Sequence, residues 1–87
     1  MNMMLKSGDV RWVSPVRVQI GYGFPETIQG PRDAITYLDF RWPAIDGEHR
    51  RNAKTICTEA LNDRVPPAVA REAFLRACIE AKMLCQG

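Results

Sequence analysis

Three cysteines and one histidine are the residues of this chain best suited to nucleophilic catalysis or zinc binding. His49 and Cys57 are eight positions apart on one predicted helix, a rise of about 12 Å, so they cannot form a nucleophile and base pair. Cys78 and Cys85 are seven positions apart on another predicted helix, about 10 Å along its axis, which is too far for two ligands of one tetrahedral ion. We therefore predict that the chain is not an enzyme and has no metal or cofactor. We expect its cysteines to be small buried apolar side chains or, in the case of Cys85, a thiol at a frayed terminus.

Other sequence features that suggest ligand binding are weak. Gly21 and Gly23 lack the third glycine and the strand-to-helix context of a dinucleotide site, so they predict a turn. His49 falls on the apolar stripe near the start of the second predicted helix, where we expect a packing residue. Arg71 lies beside the apolar stripe of the third predicted helix. We expect the aliphatic part of its side chain to cover apolar surface and its guanidinium group to pair with a carboxylate.

Length and composition favour one small domain. The chain has 87 residues, of which 46% are hydrophobic and 25% charged, enough for one modest core and too few for a multidomain enzyme or a deep active-site cavity. Its net charge of +2 is too small to indicate nucleic acid as the main partner. An alternative function remains open, because Arg50, Arg51 and Lys54 form a basic edge on the second predicted helix that suits weak nucleic-acid binding.

The distribution of apolar residues and cysteines predicts a cytoplasmic protein. Residues 1–6 lack the apolar run of about 7 to 15 residues that a secretory signal needs, and no stretch approaches the roughly 20 residues that cross a bilayer. An odd number of cysteines with no Cys-x-x-Cys pair is typical of a reducing compartment. We expect residues 1–9 to form a flexible segment and residues 10–87 a single domain.

A β-hairpin is predicted in the first third of the chain. Val16, Val18 and Ile20 alternate with polar residues, which indicates a strand with one buried face. The turn at 21–23 leads to a return strand within 24–29, and Pro25 places that strand at a sheet edge or delays its start.

Three helices are predicted to cover this hairpin. The first begins at Pro31 and ends at Trp42 before Pro43, the second spans Glu48 to about Leu61, and the third opens at Pro66-Pro67 and runs to about Leu84. The expected fold is a two-layer α+β domain in which three helices pack on an antiparallel hairpin or small sheet.

The third predicted helix is apolar on two sides, which suggests burial on two sides. One side carries Phe74 and a series of alanines, and the other an i, i+4, i+8 row that is a candidate association surface. The candidate interface residues are Phe40, Leu75, Ile79 and Met83. A homodimer contact is one interpretation; the other is simple exposure, or cover from the chain's own residues 3–5. The predicted function is a small interaction module, self-associating as a homodimer.

The order of these segments resembles a family of short bacterial, mostly alphaproteobacterial, proteins known as domain of unknown function 982. The resemblance extends from about Trp12 to Leu84 and is strongest in the Trp-Pro and Ala-Arg-x-Ala-Phe elements. The residues that carry it are Pro15, Val16, Ala34, Leu38, Trp42, Pro43, Gly47, Ala53, Cys57, Ala60, Leu61, Ala70, Arg71, Ala73, Phe74, Ala77 and Ala81. Arg50 departs from the family pattern, in which an aromatic residue precedes the alanine of the second helix. The resemblance implies an α+β fold, no established activity and no functional residues to transfer.

Overall fold

The structure is a computed structural model of the chain and describes residues 10–19, 23–43 and 47–86. The predicted flexible segment 1–9, Ile20 of the predicted strand and the first two residues of the predicted turn lie outside the described residues.

The described chain contains three strands and three helices, as expected for the predicted α+β fold. In chain order they are β1 (Val16–Gln19), β2 (Glu26–Ile28), α1 (Pro31–Phe40), α2 (Glu48–Leu61), α3 (Pro67–Glu80) and β3 (Leu84–Gln86). None of these helices has the length and apolar character needed to cross a membrane.

The sheet has the order β2-β1-β3, and both pairs of strands are antiparallel. Val16 faces Ile28 across the β1–β2 pair, and all three side chains Val16, Val18 and Ile28 are buried, whereas Arg17 is exposed. This alternation confirms the predicted hairpin. As predicted, β2 is an edge strand and begins after Pro25, which cannot donate a ladder hydrogen bond.

The third strand corrects the prediction that the last helix reaches Leu84. α3 ends at Glu80, and the chain then reverses at Lys82, which has a φ of 59°. The amide of Met83 donates to the carbonyl of Cys78 and that of Lys82 to Ile79, each at 3.0 Å, which is the Schellman pattern of a helix end. The reversal lets Leu84–Gln86 pair with the second edge of β1 and satisfy its backbone groups. Helical periodicity cannot reveal such pairing, because it reports only which side chains are apolar.

The second helix has the predicted bounds, and the first ends two residues early. α2 closes with another Schellman pattern at Asp63, which has a φ of 60°. The amide of Arg41 caps α1 by donating to the carbonyl of Tyr37 at 2.9 Å. Trp42 therefore lies outside the helix, although it packs against the core.

The core lies between the sheet and the helices and is built on aromatic rings and small residues. The ring of Phe74 lies 5.9 Å from both Trp12 and Trp42, measured between centroids, and Tyr37 meets Trp42 edge-on at 6.2 Å. Small side chains are buried along α2 and α3, where they allow the two helix axes to approach closely. These buried residues are Ala53, Cys57, Ala60, Ala70, Ala73, Ala77 and Cys78.

Candidate functional site

Two cysteines that the sequence analysis places far apart are in contact. Cys78, on α3, is fully buried, and its side chain is hydrogen-bonded to that of the half-buried Cys85 on β3. Cys85 lies opposite the buried Val18 in the sheet, and directly opposed residues project to the same face, so Cys85 projects toward the helices. The expected separation of about 10 Å along one helix is therefore wrong, because the chain turns back at Lys82.

The two thiols of this pair have different electrostatic environments. The hydrogen bond from Cys78 stabilises the Cys85 thiolate and lowers the pKa of Cys85, although partial burial opposes the effect. The same hydrogen bond, together with burial, raises the pKa of Cys78. Cys85 is thus the member of the pair that loses its proton first.

The thiol pair has a buried tyrosine as its neighbour. Burial raises the pKa of Tyr37, and nearby negative charge on Glu26 and on the two thiols adds to the shift. Arg41 opposes it from a position 5.6 Å from the Tyr37 ring centroid. An ion pair between Arg41 and Glu26 links the end of α1 to strand β2 beside this group.

Solvent reaches the thiol pair from the side of Cys85. A shallow cavity of about 260 Å³ is lined by Arg17, Val18, Gln19, Pro25, Cys85 and Gln86. Cys78 is not among its lining residues and has no exposed surface. Because Cys85 keeps some exposed surface and Cys78 has none, a small reagent meets Cys85 first.

The third cysteine and the histidine lie elsewhere. Burial raises the pKa of Cys57, in the middle of α2, to about 12. His49 is exposed in the first turn of α2, so the expectation that it packs on the apolar stripe is wrong. Within the described residues, no group of three or more His, Cys, Asp or Glu side chains is placed to hold a metal ion.

The four candidate interface residues differ in exposure. Ile79 and Phe40 are 72% and 79% exposed, whereas Leu75 and Met83 are half-buried against the core. Met83 follows the reversal at Lys82 and does not continue the helical row, so the predicted i, i+4, i+8 arrangement is wrong for its last member. Leu75 and Ile79 do lie one helical turn apart on α3.

The basic edge of α2 is partly engaged within the molecule. Arg50 is half-buried, and its Nη2 donates to the carbonyl oxygen of Leu38 at 2.8 Å, near the end of α1. The Nζ of Lys54 lies 2.8 Å from Asp39 Oδ1. Arg51 is exposed. Arg50 and Lys54 thus help to join α2 to α1, where cations also complement the negative end of the helix dipole.

Arg71 connects α3 to the segment that precedes the sheet. Its Nε donates to the backbone carbonyl of Ser14 at 2.7 Å. The expected carboxylate partner is thus replaced by a main-chain oxygen. Next to Ser14, the side chain of Val13 is fully exposed.

Glu80 is a residue whose role the sequence analysis missed. Its carboxylate accepts hydrogen bonds from the backbone amides of His49 and Arg50, each at 3.2 Å, and so caps the start of α2 from the end of α3. Gly47, at the N-cap of α2, has no side chain to do this. A glycine at the N-cap is the one sequence signal that the cap has to come from another element.

Comparison with known proteins identifies a family without a known activity. Neither the curated proteins nor the solved structures give a match to the chain. Residues 14–85 match the family described as "Protein of unknown function (DUF982)". The matched region extends from Ser14, the partner of Arg71, through both members of the thiol pair. The chain therefore belongs to the DUF982 family, as its resemblance to that family implies.

Proposed function

We propose that this chain is a small, non-catalytic interaction module of the cytoplasm that self-associates as a homodimer. The observation that carries the proposal is the side chain of Ile79, which is 72% exposed on the outer side of α3 next to the half-buried Leu75. Exposed apolar side chains that adjoin one another are typical of association surfaces.

The apolar surface around Ile79 is larger than one side chain. Arg71, one turn before Leu75 on α3, holds the backbone carbonyl of Ser14, and the side chain of the adjacent Val13 is fully exposed. Burying an aliphatic side chain of this size contributes roughly 1.5 to 3 kcal/mol, so Ile79 alone cannot offset the cost of association. A second copy of the chain, with the same apolar surface, suits a two-fold contact in which each Ile79 packs on its partner's Val13 and Leu75.

The pKa values and the free thiols of the cysteines support a non-catalytic role and a cytoplasmic location. The pKa of the Cys57 and Cys78 thiols is raised, which at these two of the three cysteines disfavours the thiolate that a catalytic nucleophile needs. All three cysteines are free thiols, which is usual in the cytoplasm. Fractionation of cells of the native host tests the compartment, and recovery of the chain outside the cytoplasm contradicts this part of the proposal.

Nucleic-acid binding has less support as an alternative. Arg50 and Lys54 already have the Leu38 carbonyl and the Asp39 carboxylate as partners, which leaves less of the basic edge for phosphates. A chain that used this edge would be retained on an immobilised polyanion and released by salt. Retention that is lost in Lys54→Ala would favour the alternative over self-association.

Sedimentation velocity across a range of protein concentrations tests the homodimer. The parent chain should show a concentration-dependent shift from monomer to dimer, and Ile79→Asp should remain monomeric at every concentration because a buried charge opposes association. The matched control is Phe24→Asp, which also replaces a highly exposed apolar side chain but outside the proposed surface. It should keep the parent's dimerisation.

Two other outcomes would contradict self-association or move the contact to another surface. A monomeric parent chain contradicts self-association. Dimerisation that survives Ile79→Asp but is lost in Phe40→Asp moves the contact to the end of α1 and away from α3. Circular dichroism of each variant shows whether the fold is retained.

A further inference from the structure

We propose that Cys78 and Cys85 form a redox-modification site, at which a hydroperoxide converts the two thiols into an intramolecular disulfide that fastens β3 to α3. The inference is independent of self-association, because it depends only on contacts inside one chain.

The first requirement for such a site is that the two thiols are neighbours, and the fold brings them together. The reversal at Lys82 and the pairing of Cys85 with Val18 turn the Cys85 side chain back onto α3, where it contacts Cys78. Both cysteines belong to one packed region, with Cys78 in the core and Cys85 against it. Bond formation requires the two sulfurs to approach to about 2.05 Å, which neighbouring side chains can do.

The burial of the pair assigns different roles to its two members. Cys85 keeps part of its surface exposed and can be reached by a small oxidant, whereas Cys78 has no exposed surface. A reachable thiol beside a second, shielded thiol is the arrangement of redox-sensitive cysteine pairs, in which the first is oxidised and the second resolves it. The hydrogen bond from Cys78 also lowers the pKa of Cys85, which favours the reactive thiolate on the reachable side.

The reaction proceeds in two balanced steps with hydrogen peroxide as the oxidant. The Cys85 thiolate attacks one oxygen, the O–O bond breaks, and Cys85 becomes a sulfenic acid while the second oxygen leaves as hydroxide and takes up the thiol proton to form water. The Cys78 sulfur then attacks the Cys85 sulfur, the S–O bond breaks, and the departing hydroxide takes the Cys78 proton to form a second water. Overall, two thiols lose two electrons and two protons, and one peroxide is reduced to two waters.

The disulfide changes how firmly the carboxyl-terminal strand is held. β3 has three residues and lies at a sheet edge, so a small number of backbone hydrogen bonds to β1 fixes it in the reduced chain. A covalent link to α3 closes a short loop from Cys78 to Cys85 and keeps β3 paired. In the reduced state β3 can separate more readily and expose the edge of β1, and oxidation suppresses this opening.

Oxidation of the full-length chain with a small molar excess of hydrogen peroxide tests the proposal. Intact-mass spectrometry should show the loss of two hydrogen atoms, reversed by dithiothreitol. Trypsin cleaves after Arg76 and Lys82, so the oxidised chain should release peptide 77–82 linked to peptide 83–87. The melting temperature should rise by roughly 10 °C on oxidation, and amide exchange in β3 should slow.

Two single substitutions provide the matched comparison. Cys57→Ser removes the cysteine outside the pair and should still form the linked peptide. Cys85→Ser removes the reachable thiol and should neither lose two hydrogens nor gain thermal stability from peroxide. Circular dichroism before oxidation shows whether each variant is folded, and Cys85→Ala replaces Cys85→Ser if the serine variant is not.

Three results would overturn the proposal. A disulfide that includes Cys57 would show that Cys78 and Cys85 are not the reactive pair. Cross-linked dimers through Cys85, with no intramolecular linkage, show that the reachable thiol reacts with another chain. A parent chain that keeps three free thiols under conditions that oxidise a solvent-exposed cysteine peptide shows that the pair is not redox-sensitive.

Discussion

The carboxylate of Glu80 accepts the backbone amide of His49 at 3.2 Å, and this contact joins the end of α3 to the start of α2. Its second oxygen accepts the amide of Arg50 at the same distance. One side chain therefore satisfies two of the amides that every helix leaves unpaired at its N-terminus, and it places a negative charge at the positive end of the helix dipole.

Removal of this remote cap should destabilise the fold. We expect Glu80→Ala to lower the free energy of unfolding by about 1 to 2 kcal/mol, because two amides lose their acceptor and the dipole loses its anion. Urea denaturation followed by circular dichroism measures the change. Glu72→Ala is the control, since Glu72 is an exposed residue on the same helix whose 3.8 Å contact with Arg76 should contribute less than about 0.5 kcal/mol. Equal losses in the two variants would contradict the capping role of Glu80.

A substitution at Gly47, the N-cap residue of α2, tests the same contact with Glu80. A Cβ at position 47 would meet the Glu80 carboxylate, so Gly47→Ala should displace that side chain and weaken both hydrogen bonds. In the Glu80→Ala variant the carboxylate is absent, so Gly47→Ala should lower the free energy of unfolding much less than it does in the parent chain. A double-mutant cycle measures the coupling, and strictly additive losses would show that the two positions do not interact.

Gly30→Ala should be more damaging than Gly47→Ala. A Cβ at Gly30 would meet the backbone carbonyl of Val10 and lie 3.1 Å from the Cα of Arg11, and main-chain atoms cannot rotate away as a carboxylate can. The same segment is fixed by the Trp12 amide, which donates to the Gln29 carbonyl at 2.8 Å. We expect a loss of about 2 to 3 kcal/mol in thermal or urea unfolding. A loss below about 0.5 kcal/mol would mean that residues 10–12 pack less closely on Gly30.

Replacement of Lys82 by glycine should stabilise the chain. Lys82 has a φ of 59°, a left-handed conformation that costs a non-glycine residue roughly 1 kcal/mol and costs glycine almost nothing. Lys82→Gly should raise the free energy of unfolding by about 0.5 to 1 kcal/mol. Asp63→Gly, at the equivalent position after α2, is the comparison and should gain less, because aspartate tolerates this conformation better than lysine. Destabilisation by Lys82→Gly would contradict the left-handed turn into β3.

The buried thiol of Cys57 should make stability fall at high pH. Burial raises its pKa in the folded state from 9.0 to about 12, so between these values the unfolded chain loses a proton that the folded chain keeps. Below pH 9 the Cys57 thiol is protonated in both the folded and the unfolded chain, so it does not change the free energy of unfolding. As the pH rises from 9 toward 12, the free energy of unfolding should fall by up to about 1.4 kcal/mol per pH unit. Urea denaturation from pH 8 to 11 measures the slope. Cys57→Ala should show a shallower slope, and an unchanged slope would assign the effect to other groups such as Tyr37.

The local pattern of the sequence was enough to predict most of the elements. Alternation in Val16 and Val18 predicts the first strand, Pro25 predicts an edge position for the second, and the spacing of apolar residues predicts α2 with its correct bounds. These predictions succeed because burial of one side of a strand or helix leaves a period that neighbouring residues display.

The tertiary structure decided the features that join distant segments. Leu84 fits the helical period of α3, yet it belongs to β3, because a three-residue strand has too few positions to display its own period and forms by pairing with β1. That pairing brings Cys85 to Cys78, and the packing of α3 along α2 brings Glu80 to His49. Residue type and spacing state what each side chain is able to do. Which side chains meet is settled by the packing of whole elements, since contacts across a sheet or between helices leave no period along the chain.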